Sequence, residues 1–157
     1  MAYDFFGIPV SELNVWLIWI LPFAAAMIIP AVGKFSKLTT GRVAVAFAAM
    51  SAISAATLFP MALGAHEIHH QIMWIDAIGL KAGVLADPLS VIMSNVVGWI
   101  SFLIMCYSTG YMKGDKDITR FWFWMMFFIG SMQLIILSDN LLQVFFGWEG
   151  VGLASYA

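Results

Sequence analysis

Fifteen of the sixteen charged residues in this chain are confined to its N-terminal segment and to short connections, which leaves five long runs almost without charge. The runs are Leu13 to Val32, Val43 to Leu63, Pro88 to Met112, Phe121 to Leu137 and Leu141 to Ala157, and only Glu149 interrupts them. A hydrocarbon layer about 30 Å thick is crossed by about 20 helical residues rising about 1.5 Å each. The first three runs have that length, the fourth is at the short end of the range, and the fifth reaches Ala157 before it completes a crossing. Only 10% of the residues are charged, against about 25% in an average soluble domain, and so few charges cannot coat a soluble surface. The expected fold is an all-α integral membrane bundle: five transmembrane helices at about 13–32, 43–63, 88–112, 121–137 and 141–157, the fifth truncated, in one membrane region over 1–157.

Short basic loops resist translocation, so their positions predict orientation. Lys34, Lys37 and Arg42 lie between the first two runs, Lys113, Lys116 and Arg120 lie between the third and fourth, and only Lys81 falls on the other side. That places six of seven basic residues on the cytoplasmic face, with the N-terminus external alongside Asp4, Glu12, Glu67, Asp76, Asp87 and Asp139. The first run follows an acidic flank and lacks a small-residue cleavage site, so it reads as a retained span. Pro22 and Pro30 predict a kink within it, and Pro60 is expected to help end the second span. Between Ala65 and Asp87 the pattern turns to strands around Ala77 to Gly79, which predicts an external β-hairpin at about 70–86. Asp87-Pro88 has the form of an N-cap followed by proline at the first helical position, and Asp139 and Asn140 can cap the fifth span.

Glu149 lies eight residues into its run, about 12 Å below the start and so near the bilayer midplane. A charge at that depth costs at least about 2.5 to 3.5 kcal/mol unless it is paired, hydrated or neutralised. One role for it is a protonatable site in a bundle interior: desolvation favours the protonated form and a nearby cation favours the carboxylate, so moving the cation moves the proton. The other is a carboxyl group hydrogen-bonded to a neighbouring helix for packing alone; the position favours the first. Gly150 and Ala154 form a small-xxx-small pair that predicts close helix contact beside it. The glycines Gly147, Gly150 and Gly152 follow the order G-x-x-G-x-G, which is not the dinucleotide-binding order, and no strand precedes them.

His66, His69 and His70, beside Glu67, have a spacing that can gather metal ligands on one helical turn, but no second ligand set accompanies them, and an external solvated rim is the preferred reading. Ser94, Asn95, Ser101, Ser131 and Gln133 can line a hydrated path or bond between helices, with packing preferred. The eleven methionines suit irregular interfaces, and Trp122-Phe123-Trp124 directly after Arg120 suits a membrane-boundary aromatic belt. Cys106 is the sole cysteine, so the chain offers no internal disulfide and no thiolate pair. No phosphate-binding loop, zinc signature or paired carboxylates stand out, so no metal or cofactor is expected in this chain. Basic residues restricted to short loops also exclude a nucleic-acid partner.

The run Ser138-Asp139-Asn140-Leu141-Leu142-Gln143, continuing through Gly147-Trp148-Glu149-Gly150-Val151-Gly152-Leu153-Ala154-Ser155-Tyr156, resembles the fifth transmembrane segment of the antiporter-like L-subunit family of respiratory complex I. Ala86-Asp87-Pro88-Leu89-Ser90 resembles that family's opening of its third span, and Tyr111-Met112 with Thr119-Arg120-Phe121 resembles its basic turn. The resemblance implies the N-terminal part of an antiporter-like helical bundle, in a membrane-arm subunit that couples electron transfer in an NADH-quinone-type oxidoreductase to proton translocation. It implies that Glu149 is the proton-path carboxylate, paired in the family with a lysine on a later broken helix. Other membrane-arm subunits, the lipid bilayer and protons are the implied partners, and the cell membrane the implied location. The family's protein is several times longer, so the chain reads as an N-terminal fragment ending within span five and inactive by itself. The rival readings are a subunit of a multisubunit Na+/H+ antiporter, which shares the Trp-Glu pair, and a purely structural membrane subunit.

Overall fold

The computed structural model describes residues 4–5, 8–64, 67–76 and 79–157 of the 157-residue chain. A two-residue strand pair, β1 (Asp4–Phe5) and β2 (Ile8–Pro9), leads into α1 (Val10–Gly33). Then follow α2 (Lys37–Thr57), the short α3 (Phe59–Leu63), the strands β3 (Ile68–Ile75) and β4 (Leu80–Ala86), and the helices α4 (Pro88–Tyr111), α5 (Ile118–Leu137) and α6 (Leu141–Tyr156). Four helical segments, α1, α2 with α3, α4 and α5, are long and apolar enough to cross a membrane. The fold is a multi-pass membrane bundle carrying a fifth helix and a small antiparallel hairpin.

The bundle closes because α2 presents a stripe of small residues. Thr40, Gly41, Ala44, Ala48, Ser51, Ala52 and Ala55 are all buried and recur at helical spacing. Small side chains let backbones approach, which is how helices gain contact where lipid removes any hydrophobic advantage. On one side the stripe receives α1 and on the other α4. A Cβ on Gly98 of α4 would sit 3.3 Å from the Ala52 Cα. Two apolar clusters result. One, at the end that carries the basic turns, joins Ala25, Ile29, Ala44, Met105, Trp122 and Met126; the other, beneath the hairpin, joins Val15, Ile18, Leu58, Val84, Val91 and Leu137.

Pro22 lies inside α1, and the helix continues through it. Proline has no N–H, so the Ile18 carbonyl four residues earlier loses its ladder donor. Ser51 of α2 supplies one instead: its hydroxyl donates to the Ile18 O at 2.6 Å, in a buried contact. A serine on the neighbouring helix thus makes the interior proline tolerable.

Pro60 lies near the end of the second span, Lys37–Leu63, though not within its long helix. The long helix stops at Thr57, before it, and Pro60 occupies the first turn of α3. Without an N–H it cannot bond the Ala56 carbonyl, so the ladder breaks ahead of it, and its fixed φ suits the start of a new helix.

Asp87 caps α4 as its sequence suggests: the Ser90 N–H donates to Asp87 Oδ1 at 2.7 Å, and the Asp87 N–H donates to Ser90 Oγ at 2.8 Å. These bonds with Ser90 hold the Asp87 carboxyl below the usual carboxylate range, against a weaker opposing effect of burial. In the hairpin, β3 and β4 pair antiparallel from Ile68 opposite Ala86 to Ile75 opposite Leu80, with a bulge between Met73 and Ile75. Gly79 takes a positive φ of 65° as the chain turns into β4. Ala77 and Ile78, also assigned to that turn, lie outside the described residues. Far from standing free above the helices, the hairpin buries Ile68, Val84 and Ala86 in the upper cluster, and Val84 bridges to Ser138 at the end of α5.

Candidate functional site

The site begins at the α5–α6 corner. Asn140 is the N-cap of α6, its side-chain oxygen accepting from the Gln143 N–H at 2.9 Å. From there α6 packs chiefly on α5 among the long helices, through two glycines a turn apart. A Cβ on Gly147 would lie 2.7 Å from Ile135 Cγ1 and 3.0 Å from the Ser131 carbonyl oxygen; one on Gly150 would overlap Ser131 Oγ. Only glycine permits that approach. Gly147 and Gly150 are therefore the contact pair, with Ala154 half-buried beyond them.

Fixing those glycines against α5 fixes where Glu149 goes. One residue along a helix is about 100° of rotation, so Trp148 and Glu149 turn away from α5. Trp148 is 70% exposed and Glu149 is exposed. The expected bundle interior is not formed around Glu149 by the helices described: its carboxylate meets no donor or cation among the described residues. The helix holds its one carboxyl group on an open face.

On the opposite side of α5, Gln133 pairs with α4. Ser94 Oγ donates to Gln133 Oε1 at 2.7 Å, and Gln133 Nε2 donates back to the Ser94 carbonyl at 3.0 Å. Asn95 donates to the Ala55 and Val91 carbonyls, both at 2.9 Å, which ties α4 to α2. Ser131, on the α6 side of α5, donates to the Phe127 carbonyl of its own helix. These contacts account for Ser94, Asn95 and Gln133 as interhelical bonds; Ser101 is half-buried, with no interhelical bond among the described residues.

A second polar cluster, which the sequence alone did not indicate, closes the hairpin end. The Asp139 side chain, 2% exposed, lies over Gly83 of β4 and accepts from Gln71 Nε2 at 2.6 Å; His69 Nε2 lies 3.1 Å from the same oxygen. Asn140 Nδ2 donates to the other carboxylate oxygen at 2.8 Å. Burial pushes the Asp139 carboxyl up, but the bonds from Gln71, His69 and Asn140 outweigh it, so the group stays below the usual carboxylate range. Gln143 accepts from the Gly83 N–H at 2.8 Å. Asp139 thus anchors the hairpin while Asn140 alone caps α6.

The histidines do not share a helical turn. His69 and His70 are neighbours on β3, and strand alternation sends them to opposite faces. His69 reaches Asp139. His70 Nδ1 accepts from Trp16 Nε1 at 3.1 Å, and its Nε2 stands 3.5 Å from Glu12. His66 lies outside the described residues. Among the described residues no three metal-ligating side chains converge.

The two basic turns meet at the other end: Lys37 Nζ donates to the Lys116 carbonyl at 2.9 Å. The six basic residues of those turns therefore share one end of the bundle, opposite the hairpin.

Residues 73–122, from the hairpin to the start of α5, match the family model described as NADH-ubiquinone oxidoreductase (complex I), chain 5 N-terminus. The chain is 38% identical over 145 residues to NADH-quinone oxidoreductase subunit L of Rickettsia bellii, covering 89% of this chain and 23% of that protein. It is 37% identical over 149 residues to the subunit L of Mycobacterium tuberculosis, covering 90% and 23%. To the chloroplastic NAD(P)H-quinone oxidoreductase subunit 5 of Spinacia oleracea it is 34% identical over 151 residues, covering 90% and 20%. The chain spans less than a quarter of the length of these curated relatives.

Proposed function

We propose, from the premise that the chain belongs to the NADH-quinone oxidoreductase subunit L (chain 5) family, that it forms the N-terminal part of an antiporter-like, proton-translocating subunit. That subunit sits in the membrane arm of a respiratory NADH-quinone-type complex and couples electron transfer, carried out in other subunits, to proton transport. The observation that carries this reading is Glu149, a carboxyl group midway along α6, without a donor or cation partner among the described residues, on the open face of a glycine-packed helix. In this reading the complex sits in the cell membrane with the basic turns cytoplasmic and the N-terminus and hairpin external; the tendency of short basic loops to stay on the synthesis side supports that orientation.

Glu149 acts electrostatically. A cation brought to about 4 Å in a medium of effective dielectric about 20 favours the carboxylate by about 4 kcal/mol. Withdrawing the cation removes that interaction, and the proposed coupling to proton transport rests on this change. The cation belongs to a partner helix outside α1 to α5, since Glu149 faces away from α5. The two glycines set the rotation of α6 on α5 and so the direction of the carboxylate.

Glu149→Gln in the intact complex tests the assignment. Assembly and electron transfer are expected to persist while proton translocation into reconstituted vesicles falls at least tenfold. Loss of assembly with no separate pumping defect would mark Glu149 as a packing residue, and unchanged pumping would remove it from the proton path.

A further inference from the structure

We infer that the groove where the two basic turns meet binds the phosphodiester headgroup of an anionic phospholipid. A groove of about 450 Å³ opens there, lined by Lys37, Lys116 and Arg120, with Asp117 as the single acid. Pro30 and Phe123 form its apolar wall. Three cations and one carboxylate leave an excess of positive charge, which suits a phosphodiester. The arrangement is also ordered: Lys37 spends one of its donors on the Lys116 carbonyl, which fixes its ammonium at the groove with two donors left.

The position selects a lipid over a solute phosphate. The groove lies where helices α1 and α2 leave the apolar zone, and Phe35 and Leu38, on either side of Lys37, are 91% and 68% exposed. Such side chains settle in the interfacial layer of a bilayer. A headgroup phosphate enters from that layer with its glycerol and first methylenes against Phe123 and Pro30. Basic residues near a charged membrane surface each strengthen such binding roughly fivefold. Lys34 and Lys113 belong to the same two turns and do not line the groove, so they carry bulk attraction to the surface without the site. The inference needs only the membrane placement of the bundle and is independent of the proton-path role of Glu149.

The test is photo-crosslinking of a phosphatidylglycerol bearing a diazirine near its glycerol, on the intact complex in detergent, with labelled peptides mapped by mass spectrometry. Labelling is expected on the peptides that contain Pro30 and Phe123. Lys116→Gln and Arg120→Gln are each expected to raise the half-saturating lipid concentration roughly fivefold, while Lys34→Gln with Lys113→Gln leaves it unchanged. Competition on the unmodified complex decides the matter even where a variant fails to assemble. Unlabelled phosphatidylglycerol should compete, whereas phosphatidylcholine and millimolar inorganic phosphate should not. Equal competition by phosphatidylcholine, full competition by inorganic phosphate, or an equal loss in the Lys34 and Lys113 variant would each overturn the inference.

Discussion

Ser51→Ala is expected to destabilise the bundle in a way that depends on Pro22. The serine is 1% exposed and donates at 2.6 Å to the one carbonyl that Pro22 strips of its ladder partner. Removing the hydroxyl leaves the Ile18 oxygen buried and unpaired, at a cost of about 1 to 2 kcal/mol, the range shared by buried orphaned acceptors and measured membrane hydrogen bonds. With Pro22→Ala, residue 22 regains an N–H and the helix can satisfy Ile18 internally. In that background Ser51→Ala should cost less than about 0.5 kcal/mol, because a carbonyl with one partner tolerates the loss of a second. The coupling between the two sites is then about 1 kcal/mol, or roughly fivefold in the unfolding equilibrium. Equilibrium unfolding in mixed detergent micelles, followed by fluorescence of the seven tryptophans, measures all four corners of the cycle. Equal costs in both backgrounds would refute the argument that Ser51 compensates for Pro22.

Other expectations follow from the same contacts. Gly147→Ala should weaken the α5–α6 contact by about 1 to 3 kcal/mol, since the added methyl meets the Ser131 backbone oxygen at 3.0 Å and backbone cannot step aside; Gly152→Ala, with open space around it, should leave that contact intact by cysteine cross-linking between the helices. Asp139→Asn should loosen the hairpin by about 1 to 3 kcal/mol, seen as faster hydrogen exchange at β3 and β4 amides. Because the folded Asp139 carboxyl lies below its ordinary value, the stability it lends the hairpin is complete above about pH 4 and is lost as the pH falls toward the depressed value. Exchange in the wild type should accordingly rise on acidification through that window, and this component of the rise should be absent in Asp139→Asn.

Charge placement carried much of the fold because it reports a boundary that every helix must respect. Asp87-Pro88 was equally legible, since a cap and its proline act within one turn of their own helix. Longer-range contacts were not. Ser51 looks like any small residue of α2 until α1 lies beside it with Pro22 at the right height. The histidine spacing carried little information because spacings of three and four are meaningful only on a helix; on β3 the pair His69 and His70 divides between two faces. Pro60 was ambiguous because the same missing N–H that ends one helix is harmless at the start of the next.

Glu149 was legible as an anomaly, but its surroundings were not, and the reason lies in α5. Ser131 and Gln133, two residues apart on that helix, project roughly 200° from one another. Gln133 is turned inward to Ser94, and Ser131 outward to Gly150. The polar groups of α1 to α5 are largely consumed in holding these helices to each other, while α6 spends its small residues on α5 and keeps its carboxyl group for the other side. A carboxylate so placed gains nothing from the bundle that orients it. Its energy is set by whatever approaches the open face of α6, and the proposed switching role would use that: a rigid mount on one side and a partner free to change on the other.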